Sequence, residues 1–178
     1  MRTGGKKMFE VGDLIIYGYQ GVCRVDSIGQ SDISGVPSDK LYYTLVPLYG
    51  SGKIMIPVDT KVFMRPVKSK EEVDAIIQQM PDIATEVVES QNYKVMEDHY
   101  KKLLATHECT DLVNIMKSVY AKRQMVKLQG KNLGHTDEKY KKIAEDLLYS
   151  EFAVALHIDK DSVAGYIEDK LHGSVGFN

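Results

Sequence analysis

MFEVGDLIIYGYQGVCRVDSIG, residues 8–29, opens the patterned part of this chain. Phe9, Val11, Leu14, Ile16, Val22 and Val25 stand among polar or small residues, the two-residue period of half-buried strands. Gly12-Asp13 and the run Gly18 to Gly21 are turn signals at the strand ends. Gln30 to Lys40, rich in Ser, Asp, Gly and Pro, reads as a loop. Two further strands follow, LYYTLVPL at 41–48 and KIMIPV at 53–58, joined by the tight turn Tyr49-Gly50-Ser51-Gly52. Short strands on short polar turns predict a small β-barrel over 8–67, closed or nearly so.

The second half changes period. Ser69 with Glu72 three residues on forms a capping-box pattern for a helix that Pro81 stops. Asn92 is placed to cap a helix running to about Thr106, and Thr110 a second one ending at Gly130. Thr136, with Asp137 and Glu138 in the first turn, starts a third whose stripe runs from Tyr140 through Ile143, Ala144, Leu147 and Leu148 to Phe152 and Leu156. A last helix covers about Asp161 to Leu171, and Gly173 ends it, leaving a frayed tail GSVGFN. The expected class is α+β, with a helical bundle over 68–172. MRTGGKK before Met8 has no pattern and reads as a leader.

At 178 residues with 43% hydrophobic and 27% charged positions, the composition is that of an ordinary soluble globular protein. No apolar run is long enough to span a membrane or to form the core of a signal peptide, so a cytoplasmic location is expected. Cys23 and Cys109 are isolated and read as small hydrophobes in a reducing compartment. Net charge is −2, yet residues 93–142 carry +5 and residues 143–178 carry −5. The basic block is a candidate DNA-facing surface; a set of solvated helix faces is the alternative.

Catalytic patterns are thin. The five histidines have no metal-ligand spacing, and Gly50-Ser51-Gly52-Lys53 lacks the frame of a phosphate loop. Glu71-Glu72 sits at a helix start, where the helix dipole accounts for it. Neither an enzyme, nor a cofactor, nor a metal is expected.

The run F-x-V-G-D-x-I-I-Y-G-x-x-G-V, followed some thirty residues later by K-I-M-I-P-V-D, resembles the CarD/CdnL family of bacterial transcription regulators. Its first half also resembles the polymerase-interacting module of transcription-repair coupling factors. The resemblance implies a Tudor-like barrel and a non-catalytic regulator acting in the nucleoid through RNA polymerase. It implies docking on the polymerase β subunit through the strand Lys53, Ile54, Met55, Ile56 and Pro57, whose edge would accept a foreign strand. Pro57, lacking an N–H, would limit that ladder. A central strand with nothing bound is the other reading of this segment.

The resemblance also implies that the helical part meets promoter DNA at the upstream edge of the transcription bubble and modulates open-complex stability. Family members typically use a Trp wedge there; this chain has no Trp, and Asn92-Tyr93 is the matching position. Tyr93 is then either a weaker wedge or a half-buried helix-start residue. Lys94, Lys101, Lys102, Lys122, Arg123 and Lys127 would contact phosphates without reading sequence. Glu97 and Asp98 stand where the family is often basic, so affinity for free DNA should be weak. A monomer is expected. The alternative is an adaptor whose barrel binds another protein and whose helices never meet DNA.

Overall fold

The computed structural model describes residues 8–174, and the side chains of residues 8–172. Both the leader and the last four residues of the tail lie outside the described residues. The chain divides into two compact units between Val67 and Lys68.

The first unit is an antiparallel sheet of five strands: β1 (Leu14–Tyr17), β2 (Gly21–Gly29), β3 (Tyr42–Pro47), β4 (Ile54–Pro57) and β5 (Met64–Pro66), in the order β4-β3-β2-β1-β5. It is an open sheet, so the expected barrel does not form. Closure would need a ladder between β4 and β5, and each of these short strands ends in a proline. On β5, Gly18 N–H donates to Phe63 O and Val67 N–H to Leu14 O. Odd positions therefore face β1, and the missing N–H of Pro66 falls on the outer side.

A sequence turn sets the sheet's entry. Asp13 N–H closes onto Glu10 O, and Gly12 lies at φ 95°, a left-handed geometry that the third position of this turn requires and glycine supplies. The main core cluster is Ile15, Cys23, Val25, Tyr43, Leu45 and Ile56. The expected phase holds in part: Val25 is in this cluster, and Ile16 and Val22 are buried but, with Leu14, on the other face from Ile15 and Cys23, while Val11 is exposed. Leu14-Ile15-Ile16 is apolar on both parities, so alternation alone could not choose between them.

The second unit is helical: α1 (Lys70–Gln79), α2 (Tyr93–Leu104), α3 (Cys109–Leu128), α4 (His135–Leu156) and α5 (Val163–Ser174). The capping box forms, Ser69 Oγ accepting from Glu72 N–H and Glu72 Oε2 from Ser69 N–H. Val73, Ile77, Leu112, Ile115, Val119, Ala144, Leu148 and Phe152 are buried. Two starts shift by two residues: Glu108, not Thr110, precedes α3, and Gly134, not Thr136, precedes α4. Helix α5 runs through Gly173 to Ser174. Past α1, Lys117 Nζ donates to the carbonyls of Met80, Pro81 and Ile83 at 2.9, 3.0 and 2.5 Å, a side chain standing in for the missing continuation of the helix.

Candidate functional site

Strand β4 is an edge strand. Among the described residues it pairs with β3 alone, Tyr42 opposite Pro57, Tyr43 opposite Ile56, Thr44 opposite Met55 and Leu45 opposite Ile54. In such a ladder, pairs that exchange hydrogen bonds alternate with pairs that do not. Val58 N–H donates to Leu41 O at 3.0 Å, so the bonded pairs are Leu41–Val58, Tyr43–Ile56 and Leu45–Ile54. The backbone of Met55 therefore turns its N–H and C=O away from β3, into the open edge. Pro57 turns outward as well and offers only a carbonyl. The side chains divide the other way: Ile54, Ile56 and Val58 pack on the core, which leaves Lys53, Met55 and Pro57 on the opposite face.

Beside this edge lies a small charged cluster. Lys53 Nζ reaches Asp26 Oδ2 at 2.9 Å, and Arg24 reaches Asp26 Oδ1 at 3.5 Å. The hydrogen bond and charge of Lys53 hold the Asp26 carboxyl below its usual range. The β2–β3 register shifts between Val25 and Ser27; this bulge inserts Asp26 as the extra residue and brings its side chain toward Lys53. The sequence carries a signal for this, Arg24-x-Asp26 on one strand parity, but strand pairing is needed to bring Lys53 to it.

The helical unit sorts the expected DNA-facing residues into two groups. Asn92 caps α2, its Oδ1 accepting from Lys94 N–H at 3.0 Å. Tyr93, the first residue of α2, is 70% exposed, so the half-buried reading does not hold. Lys94, Lys102 and Lys127 are exposed, and none of them has an ion-pair partner among the described residues. Lys101 is 3.6 Å from Glu97 and Arg123 is 2.6 Å from Glu138; both ion pairs are at the surface. Lys122 is withdrawn altogether. Only 12% of its side chain is exposed, and its Nζ lies 2.9 Å from Asp137, itself buried. A lysine in an amphipathic pattern reads as outward; this one turns in because a buried carboxylate waits on the next helix.

Asp137 is the centre of that arrangement, which charge counting missed. It accepts from Lys122 and, at 2.6 Å, from Tyr100 OH; burial first and Asp137 second push the Tyr100 hydroxyl up. Tyr100 stacks on Tyr140 at 5.2 Å. Tyr140 OH donates to Glu97 at 3.0 Å, and burial with that carboxylate pushes Tyr140 up to about 12. Glu97 also meets Lys139 at 3.5 Å, which makes it a hub joining α2 to α4. Tyr93, Met96, Lys122, Gln129, His135 and Asp137 line part of a cleft of about 650 Å³ where the starts of α2 and α4 meet the end of α3.

Residues 9–68 match the family model of the CarD-like/TRCF RID domain. The sheet unit carries a CarD-like domain. The match ends where the helical unit begins, and the domain supports a transcription-related, RNA polymerase-interacting role. No curated protein matches the chain. No helix among the described residues is long and apolar enough to cross a membrane, and no cluster of metal-ligating side chains is present among them.

Proposed function

We propose that this protein is a non-catalytic transcription regulator that docks on the β subunit of RNA polymerase by adding β4 to a strand of that subunit. The single observation that carries the reading is the open β4 edge, with the Met55 backbone turned outward, in a domain that matches the CarD-like/TRCF RID model. Main-chain pairing supplies affinity at such an edge, and the outward side chains supply specificity. The helical unit then meets DNA at the upstream edge of the bubble through Tyr93, Lys94, Lys102 and Lys127. Tyr93 acts as the wedge: an exposed ring at a helix start can occupy space left by unstacked bases. Preferential binding of the open state lengthens its life.

The test is binding of the full chain to its cognate β subunit, with Met55→Pro as the decisive variant. Met55→Pro removes a donor that points into the edge and leaves the β3 hydrogen bonds in place. We expect at least about a tenfold loss of affinity, or 1.4 kcal/mol, with the fold intact by circular dichroism. Unchanged binding removes the docking assignment.

A second reading, a protein adaptor with no DNA contact, is favoured by one observation: Lys122 is withdrawn from the surface onto the buried Asp137. Salt separates the two. Lys94, Lys102 and Lys127 on phosphates give a log affinity that falls with log salt at a slope of roughly 0.9 for each contact, so replacing them lowers the slope, whereas an adaptor's salt dependence is unchanged by their replacement.

A further inference from the structure

The edge that Met55 offers is chemically lopsided. At its Lys53 end, two cations share one carboxylate: Arg24 and Lys53 on Asp26. At the other end, Lys40 faces Asp59 at 3.9 Å, one charge against one. The Lys53 end therefore carries a net +1 and the Pro57 end carries none. Arg24 lies opposite Val46 on β3, and the β3–β4 register taken one residue further sets Lys53 on the far side of Val46. Arg24, Val46 and Lys53 thus form one row across the sheet on the face away from the core. The next place in that row, past Lys53, belongs to whatever strand is added.

The cluster is also free to respond. The side chains of Lys53 and Arg24 are 65% and 48% exposed, and exposed ion pairs hold their partners by no more than about 1 kcal/mol. Lys53 can turn from Asp26 to a newly arrived carboxylate without leaving a buried charge behind.

We propose that the Arg24–Asp26–Lys53 cluster makes the β4 edge selective for a strand that carries an Asp or Glu side chain in the row of Lys53, on the face away from the core. This rests on the strand-docking reading above and adds to it the chemistry and position of the partner's side chain. Complementary charge at the rim of an interface acts mainly on association rate and on specificity, and salt screens it. Asp26 acts here as a brake, since it cancels half of the positive charge.

The experiment measures association of the full chain with its cognate polymerase β subunit at low and high salt, for the wild type, Lys53→Glu, Lys53→Arg, Asp26→Asn and Met55→Pro. We expect Lys53→Glu to slow association by about five- to tenfold at low salt. Lys53→Arg should match the wild type, and Asp26→Asn should speed association two- to threefold. At 0.5 M salt these differences should collapse, because the screening length shrinks to roughly 4 Å. Lys53→Glu binding as fast as the wild type, while Met55→Pro is defective, overturns the acidic partner and leaves strand docking standing. Slower association for Asp26→Asn overturns the charge account in favour of a shape role for the cluster. No binding by the wild type overturns the docking reading itself, and this inference with it.

Discussion

The two units handle their polar groups in opposite ways. The sheet unit leaves main-chain donors and acceptors unspent along β4, with a loosely held charge cluster beside them. The helical unit consumes most of its charge internally: Lys122 on Asp137, Arg123 on Glu138, Lys101 and Lys139 on Glu97, and Lys117 on three carbonyls. The +5 counted over residues 93–142 already includes Glu97, Asp137 and Glu138, so these pairs leave the net charge as it is and decide where it sits: Lys94, Lys102 and Lys127 stay exposed, with no ion-pair partner among the described residues. Charge count measures what a segment carries, whereas recognition depends on what the fold leaves unpaired.

The hardest blow to this contrast falls on Asp137. Asp137→Ala strands the Lys122 ammonium at 12% exposure and leaves Tyr100 OH without its acceptor. Breaking a buried pair in this way costs about 3–5 kcal/mol, readable as a lower urea midpoint. Replacing both partners, Asp137→Leu with Lys122→Met, should recover most of the loss, because the desolvation penalty goes with the charges. A loss under about 1 kcal/mol for Asp137→Ala would show that the network is ornamental and that Lys122 is available to an outside partner.

These particulars show where sequence reading holds and where it stops. The Ser69–Glu72 capping box and the stripe Tyr140, Ala144, Leu148, Phe152 were legible because each is a local pattern whose partners lie within one helix. The open edge was legible only as an alternative: nothing within Ile54–Pro57 says whether one neighbour or two will flank it. Register decides which residues face outward, and it depends on Leu41 and Tyr43 across the turn. Ile15 was missed as a residue of the main core because Leu14, Ile15 and Ile16 are all apolar, and both Ile15 and Ile16 are buried. Lys122 was misread because its partner lies fifteen residues away on the next helix. Pairing across elements is the information that periodicity does not contain.

A smaller effect probes the same network by pH. Tyr140 is held up at about 12 against an ordinary value of 10.0, first by burial and then by its hydrogen bond to Glu97. The folded unit keeps this proton in a range where the unfolded chain releases it, so the contribution to stability is complete below about 10 and is lost as pH rises to about 12. Wild type should therefore lose stability across that window more steeply than Tyr140→Phe, compared by denaturant unfolding at each pH. Parallel curves would mean that the stacked tyrosines carry no shared proton linkage, and that the helical unit is less tightly closed on its polar groups than the contrast with the sheet requires.

The gentlest change tests one of the large groups that the helical unit leaves outside, as it does Tyr120 and Leu128. Tyr93 is 70% exposed, so Tyr93→Ala should alter stability by no more than about 0.5 kcal/mol. Its helix should persist, since the Asn92 cap does not involve the Tyr93 side chain. If the ring serves as a wedge, open promoter complexes formed with Tyr93→Ala should decay faster while the affinity for polymerase stays at the wild-type value. A wedge adds to the open state only what stacking returns, on the order of 1–3 kcal/mol for a base on an aromatic ring. The lifetime should accordingly shorten by about fivefold or more. An unchanged lifetime with normal polymerase binding would confine recognition to the β4 edge. The helical unit would then be closed not only in its charges but in its function toward DNA, and the adaptor reading would stand in place of the wedge.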